Sequence, residues 1–284
     1  MDENQLRSRM NRPGTVLATL PGEKEPGCFG LFHSPETLLA AQTPDEVKAV
    51  FDEAEKALDA GYCIAGFTSY EAAPAFDSAH RVRSGDHFPA AVYGVYRQPP
   101  ERIRLPRRSD CVLNAALRPE IDRAEYFQQF DGIKRHIIAG DIYQANLTFR
   151  IHAEAEMNPG WAEWFLTLSA LHPVPYGAYL FLLPDFRVIS CSPELFLESC
   201  DGCEIHSSPM KGTAKRSPLA GADRLAAAAL GADPKNLAEN LMITDMVRND
   251  LGRICSPGSI RVDPLFRVDT YPTVHQMIST VHGR

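Results

Sequence analysis

YGAYLFLLPDFRVISCSPELFLESCDGCEIHSS, residues 176–208, decides the fold. Residues 176–182, 186–190, 195–199 and 204–208 are short runs rich in β-branched and aromatic side chains, and Pro184-Asp185 and Asp201-Gly202 supply turn chemistry between them. Consecutive hairpins imply an antiparallel sheet. The Asp-Gly step also bears on Cys200-Asp201-Gly202-Cys203, whose spacing suits a redox pair or half a zinc site. No second cysteine pair follows it, so a hairpin turn is the better reading.

Upstream of that run, a helix is predicted to open at Asp122 with Glu125 three residues on. It carries Tyr126, Phe130, Ile133 and Ile137 as one stripe and stops at Gly140. Residues 141–150 alternate Tyr143, Ala145, Leu147 and Phe149 with Gln144, Asn146 and Thr148, which predicts a strand with one core face. Nearer the N-terminus, Thr43-Pro44-Asp45-Glu46 is a capping box with proline at the first helical position, followed by Val47, Val50, Phe51, Ala54 and Leu58 and closed by Gly61. Strands are predicted at 62–70 and 88–96, then a solvated basic connector over 97–108. Downstream, Asp233-Pro234 starts a long helix expected to reach about Leu251 and to bury Leu237, Leu241, Thr244 and Val247. Helices mixed with hairpin-linked strands, without regular βαβ alternation or a GxGxxG string, predict an α+β fold.

The chain has 284 residues, 44% apolar and 23% charged, with a net charge of −7. That is ample for a buried core. It supplies no positive field for nucleic acid, so an anionic ligand must be held by a local site. No apolar run reaches the roughly 20 residues of a membrane helix, and the N-terminus lacks the layout of a signal peptide, so a cytoplasmic protein is expected. Seven scattered cysteines, an odd number, suggest reduced thiols.

Four polar clusters could carry chemistry: residues 140–144, 192–194, 209–213, and Glu239-Asn240 with residues 248–250. Each alone has a bland alternative: Gln144 as a solvated strand residue, Glu194 as a turn carboxylate, Lys211 as a loop lysine, Glu239 as a helix-surface charge. Glu239 and Asp250 lie on nearly one helix face but about 16 Å apart along the axis, so they cannot share an ion.

Taken in order, GDIYQANLT (140–148), SPELF (192–196), PMKGT (209–213), DPKNLAENLMITDMVRNDLG (233–252) and YPTVHQMISTV (271–281) resemble the chorismate-utilising family, which includes anthranilate, aminodeoxychorismate and isochorismate synthases. The match runs from about residue 120 to 284. FTSYEAAPAFD (67–77) is more weakly similar to the aminodeoxychorismate branch. The resemblance implies a largely antiparallel two-sheet sandwich with outer helices. It would have a family-specific region over 1–110 and the first portion of the catalytic region over 111–284, intertwined as one domain.

Within the family, water-adding members carry a lysine base where this chain has Gln144, so the glutamine implies ammonia as nucleophile. Lysine in the P-x-K-G-T string, where anthranilate synthases have alanine, points to the aminodeoxychorismate type. Resemblance gives Lys211 the role of covalent nucleophile at chorismate C2 and Glu194 that of general acid. It gives Gln144, Gly212 and Thr213 substrate contacts, Glu239 a Mg²⁺ ligand role, and His275 a place beside the reacting ring. His275 could instead be a hydrogen-bonded core histidine. Met210 for the usual isoleucine conserves apolar bulk. The implied activity is amination of chorismate to 4-amino-4-deoxychorismate, for para-aminobenzoate and folate synthesis. A glutamine amidotransferase subunit would supply the ammonia. Anthranilate synthase is the nearest alternative, and a non-catalytic fragment that only docks an amidotransferase is another. The family's glycine-rich segment, its second set of Mg²⁺ carboxylates and its enolpyruvyl-binding arginine and tyrosine are not found in the chain. The site is therefore expected to be incomplete, with little turnover and exposed sheet edges.

Overall fold

A computed structural model of the chain describes residues 2–23, 27–82, 88–106, 115–155, 160–199 and 202–284. Contacts divide it into two units, residues 1–109 with 165–284, and residues 110–164.

The larger unit begins with α1 (Glu3–Met10), β1 (Thr15–Ala18), β2 (Cys28–Phe32), β3 (Thr37–Ala41) and α2 (Pro44–Asp59). β4 (Cys63–Thr68), a short 3-10 helix (Tyr70–Ala75), β5 (Ala91–Tyr96) and β6 (Glu101–Arg104) follow. The smaller unit holds β7 (Ala115–Pro119), α3 (Arg123–Ala139) and β8 (Ile151–Ala155). α4 (Trp161–Leu171) crosses the division. The larger unit then resumes with β9 (Tyr176–Phe181), β10 (Val188–Ser192), β11 (Leu195–Ser199), β12 (Ile205–Ser208) and β13 (Met210–Lys215). It ends with α5 (Ala220–Ala232), α6 (Pro234–Gly252), β14 (Arg261–Val262), β15 (Arg267–Thr270), β16 (Val274–Ile278) and β17 (Val281–Gly283).

The expected antiparallel α+β architecture is observed, with the described strands grouped in five ladders. The order β10-β9-β1-β2-β6 forms the largest sheet, and β11-β12-β17-β14 forms the next. The hairpin run that decides the fold is thus shared between two sheets. β9 pairs with β10 in one and β11 with β12 in the other, and Ser192-Pro193-Glu194 is the corner between them. Proline lacks the N–H that a continuing ladder would use, so the run breaks where the polar cluster sits. The predicted Asp201-Gly202 turn falls partly outside the described residues, as do Cys200, Asp201 and Cys111. Cys63, Cys191 and Cys255 carry free thiols.

One core cluster joins Val16, Phe32, Val92, Tyr96, Leu180 and Leu182, and a second packs Val47 and Val50 of α2 on Ala41, Ala72 and Ala91. The two largest buried rings keep their polar tips satisfied. Tyr96 donates to the Gly14 carbonyl at 3.0 Å and Tyr179 to the Met10 carbonyl at 3.1 Å. α2 opens on the predicted Thr43–Glu46 capping box, and α3 runs from the Asp122 cap to a left-handed Gly140.

Several expectations are corrected. Residues 141–150 form no ladder among the described residues, and Tyr143 and Phe149 are exposed, so their alternation marks an irregular segment rather than a strand. α3 buries no residue, whereas a packed stripe was expected. Part of the basic connector is a strand, because Glu101–Arg104 pairs with β2. Its residues 107 and 108 lie outside the described set. α6 buries Asn240, Thr244 and Leu251, and Leu241 is 52% exposed. The buried face is rotated toward polar residues because this helix packs through hydrogen bonds as well as through apolar contact.

Candidate functional site

The PMKGT string and the YPTVHQMISTV string meet as neighbouring strands. β13 and β16 pair with Thr213 opposite Gln276 and Ala214 opposite His275, and the register shifts between Met210 and Thr213. That shift is a bulge at Lys211 and Gly212. Gly212 adopts φ +104°, and a Cβ there would sit 3.1 Å from Asn236 Cβ and 3.2 Å from Met277 Cβ. Both the backbone conformation and the close approach of α6 therefore demand glycine.

Asn240 locks the bulge from the helix side. It is 1% exposed, and its amide donates to the carbonyls of Lys211 and Met277 at 3.2 Å each. Its carbonyl oxygen accepts from Ser279 Oγ at 2.6 Å. Glu194 reaches the same bulge from the sheet corner, and its Oε1 accepts the Met210 N–H at 3.0 Å. Ser192 Oγ bonds the Glu194 backbone on both sides, at 3.2 and 3.3 Å, and so shapes the corner. Glu194 is exposed, so the desolvation expected of a general acid is not supplied by the chain's own packing. Lys211 is half-buried. Thr213 donates to Gln276 Oε1 at 2.9 Å. A cavity of about 640 Å³ lies beside this corner, lined among others by Tyr176, Pro193, Met210, Arg267, Thr270 and Tyr271.

His275 is 2% exposed and has a partner at each ring nitrogen, Thr270 Oγ1 at 3.0 Å and Asp223 Oδ1 at 3.0 Å. Asp223 is in turn gripped by Arg216, whose Nε lies 2.9 Å from both carboxylate oxygens, and by the Ser217 N–H at 2.8 Å. Arg216, Ser217 and His275, in that order of strength, hold the Asp223 carboxyl well below the usual carboxylate range.

Lys211, Gly212, Thr213, Glu194 and His275 thus gather around one pair of strands. Glu239 lies on α6 one residue before Asn240, partly exposed, with Lys235 Nζ 3.7 Å away. Among the described residues no three His, Cys, Asp or Glu side chains group to hold an ion. Glu239 fits Mg²⁺ only as a single carboxylate, which suits an ion completed by substrate oxygens and water. Gln144 belongs to the smaller unit and is half-buried in the irregular segment after α3. Sequence reading gave no role to Asn240, Arg216, Asp223, Thr270 or Gln276. Asn240 stood inside a marked cluster, but Arg216 and Asp223 carried no motif, because their partners come from a hairpin some fifty residues away.

A family model described as chorismate binding enzyme matches residues 102–284. Aminodeoxychorismate synthase component 1 of Salmonella typhimurium is 38% identical over 183 residues, which cover 64% of this chain and 39% of that protein. Anthranilate synthase component 1 of Haloarcula marismortui is 36% identical over 170 residues, covering 60% of this chain and 34% of that protein. The chain therefore spans well under half the length of these curated relatives. Among solved structures, anthranilate synthase component I from Streptococcus pneumoniae superposes with a TM-score of 0.66 at 19% identity, covering 95% of this chain and 68% of that one. At that identity the likeness speaks for the fold. No described helix is long and apolar enough to cross a membrane.

Proposed function

Since the chain belongs to the chorismate binding enzyme family, we propose that it carries the nucleophile-and-acid half of a site that aminates chorismate with ammonia. The product would be 4-amino-4-deoxychorismate, and the ammonia would come from a glutamine amidotransferase partner. What supports this reading is the Glu194 carboxylate, which accepts the Met210 N–H at 3.0 Å one residue before Lys211, at a bulge that Asn240 holds from behind.

In this reading the Lys211 amine attacks C2 of the diene, both conjugated double bonds shift along the ring, and the C4 hydroxyl leaves as water with a proton from Glu194. Ammonia then adds at C4, both double bonds shift back, and the lysine is expelled with its proton returned. Thr213, fixed by Gln276, and the N–H groups around Gly212 face the substrate carboxylate. Glutamine rather than lysine at position 144 favours ammonia, which needs no base, over water as the nucleophile. Glu239 would hold Mg²⁺, which when bound supplies charge against the ring carboxylate.

The test is product formation from chorismate, ammonium and Mg²⁺, compared with Lys211→Ala. Because the chain carries only part of the site, the parent is expected to give the aminated product slowly, with a loss on the order of a hundred-fold or more in the variant. A fully active variant would remove Lys211 as nucleophile. Release of anthranilate with pyruvate would favour the second reading, to which the similarity to the Haloarcula anthranilate synthase lends weight. Absence of both turnover and chorismate binding would leave a docking fragment.

A further inference from the structure

His275 sits between two partners of unequal chemistry. Asp223 Oδ1, 3.0 Å from Nε2, belongs to a carboxylate that can only accept. Thr270 Oγ1, 3.0 Å from Nδ1, belongs to a hydroxyl that can turn to donate or accept. A neutral ring in this setting has one consistent arrangement. The proton lies on Nε2 and points at Asp223, and the Thr270 hydroxyl donates into Nδ1.

Asp223 is fixed before it meets the ring. Arg216 holds both of its oxygens at 2.9 Å, and the Ser217 N–H bonds Oδ1 at 2.8 Å. The same guanidinium donates from Nη1 to the Tyr271 carbonyl at 2.7 Å, at the start of the turn that leads back into His275. One cation therefore sets both the carboxylate and the hairpin carrying the histidine. The other nearby carboxylate, Asp269, is occupied by two hydrogen bonds of 2.7 Å from Arg267. As a neighbour of Thr270 in a strand, it also projects from the opposite face.

We propose that Asp223, held by Arg216, is a positioning residue that fixes His275 as the Nε2–H tautomer and in a single ring orientation beside the candidate site. An ordinary structural ion pair would hold α5 to β13 without any demand on the histidine. Here the ring nitrogen shares the oxygen that Ser217 and Arg216 have already aimed. The consequence for chemistry rests on the reading that His275 borders the substrate; the tautomer assignment does not.

The experiment is nitrogen-15 NMR of histidine-labelled full chain, with the His275 signals assigned by their loss in His275→Gln. The parent's neutral His275 ring should show Nε2–H alone. Thr270→Val should keep that tautomer, whereas Asp223→Asn should give Nδ1–H or a mixture. An Nδ1–H or mixed parent overturns the proposal, as does an Asp223→Asn spectrum identical to the parent's. If Asp223→Asn does not fold, the parent and Thr270→Val spectra decide. In an aminating preparation, Asp223→Asn should lower kcat on the order of 10–100-fold with KM little changed, as when a group that orients a ligating or catalytic histidine is lost. An inactive parent with the expected tautomer would count against the amination reading and leave the positioning role standing.

Discussion

Asn240 shows how much a single side chain can settle in this fold. Its four hydrogen-bonding positions are spent on Lys211, Met277, Ser279 and Thr244, all where water is excluded. Truncation to alanine takes a donor from two strand carbonyls and the acceptor from the Ser279 O–H, so Asn240→Ala should cost about 2–4 kcal/mol in denaturant unfolding. A loss under about 0.5 kcal/mol would mean that the bulge is held by other contacts. Asp223 gives a pH signature. Its folded pKa is depressed, so the stability it contributes is present above the ordinary carboxylate value near 3.9 and is lost as pH falls from there toward the lowered folded value. Asp223→Asn should therefore flatten the acid limb of a stability–pH curve, and an unchanged limb would show that the carboxylate does not feel Arg216. The identities of Lys211, Glu194, Gly212, Thr213 and His275 were legible as motifs, because each sits in a short contiguous string. Their hydrogen-bond partners were not. Arg216, Asp223 and Thr270 come together only through β13, α5 and the β15–β16 hairpin.

At the scale of elements, caps and hairpins held, and a strand inferred from alternation alone did not. Thr43–Glu46 capped α2 as read, and Asp122 and Gly140 bounded α3, because capping chemistry is satisfied within a few residues. Residues 141–150 show the opposite case. Alternation predicts a strand only if a partner edge exists, and none of the described strands provides one. Glu101–Arg104 is the converse, a basic segment without alternation that becomes a strand because β2 offers an open edge. Two predictions belong here. Backbone amides of 141–150 should exchange with solvent far faster than those of β1 and β9, which pair across four positions in a buried sheet. Comparable protection in the two segments would show that 141–150 is paired in solution. Gly212→Ala should destabilise by about 1–3 kcal/mol and disturb the Lys211 bulge, since alanine is strained at φ +104° and its Cβ meets Asn236. A variant of parental stability would place the strain elsewhere.

For the whole molecule, composition and charge set the class, and hairpin chemistry set the antiparallel α+β type. The partition of strands among five ladders depends on distant contacts, such as β1 with β9, which no local pattern announces. Long-range packing buries Tyr96 and Tyr179 and half-buries Tyr176 and Tyr271, and together these four make the fold sensitive to alkali. Burial pushes the hydroxyls of Tyr96, Tyr176 and Tyr179 above their ordinary value. Tyr271 is pushed up to about 12 by burial first, then by the nearby Asp269 and Tyr176. A group whose folded pKa is raised contributes stability that is fully present below its unfolded value, here near 10, and that is lost as pH climbs toward the folded value. Denaturant midpoints should therefore hold steady up to about pH 9.5 and fall steadily above pH 10. Tyrosinate absorbance should rise in two stages. The four hydroxyls raised by burial form the later stage and ionise only as the fold gives way. If all nine tyrosines titrated in one step near the ordinary value while stability stayed flat, the sheets would not enclose these rings in solution. Because Tyr96 and Tyr179 anchor the Gly14 and Met10 carbonyls, the N-terminal strand β1 should be the first element released in the second stage.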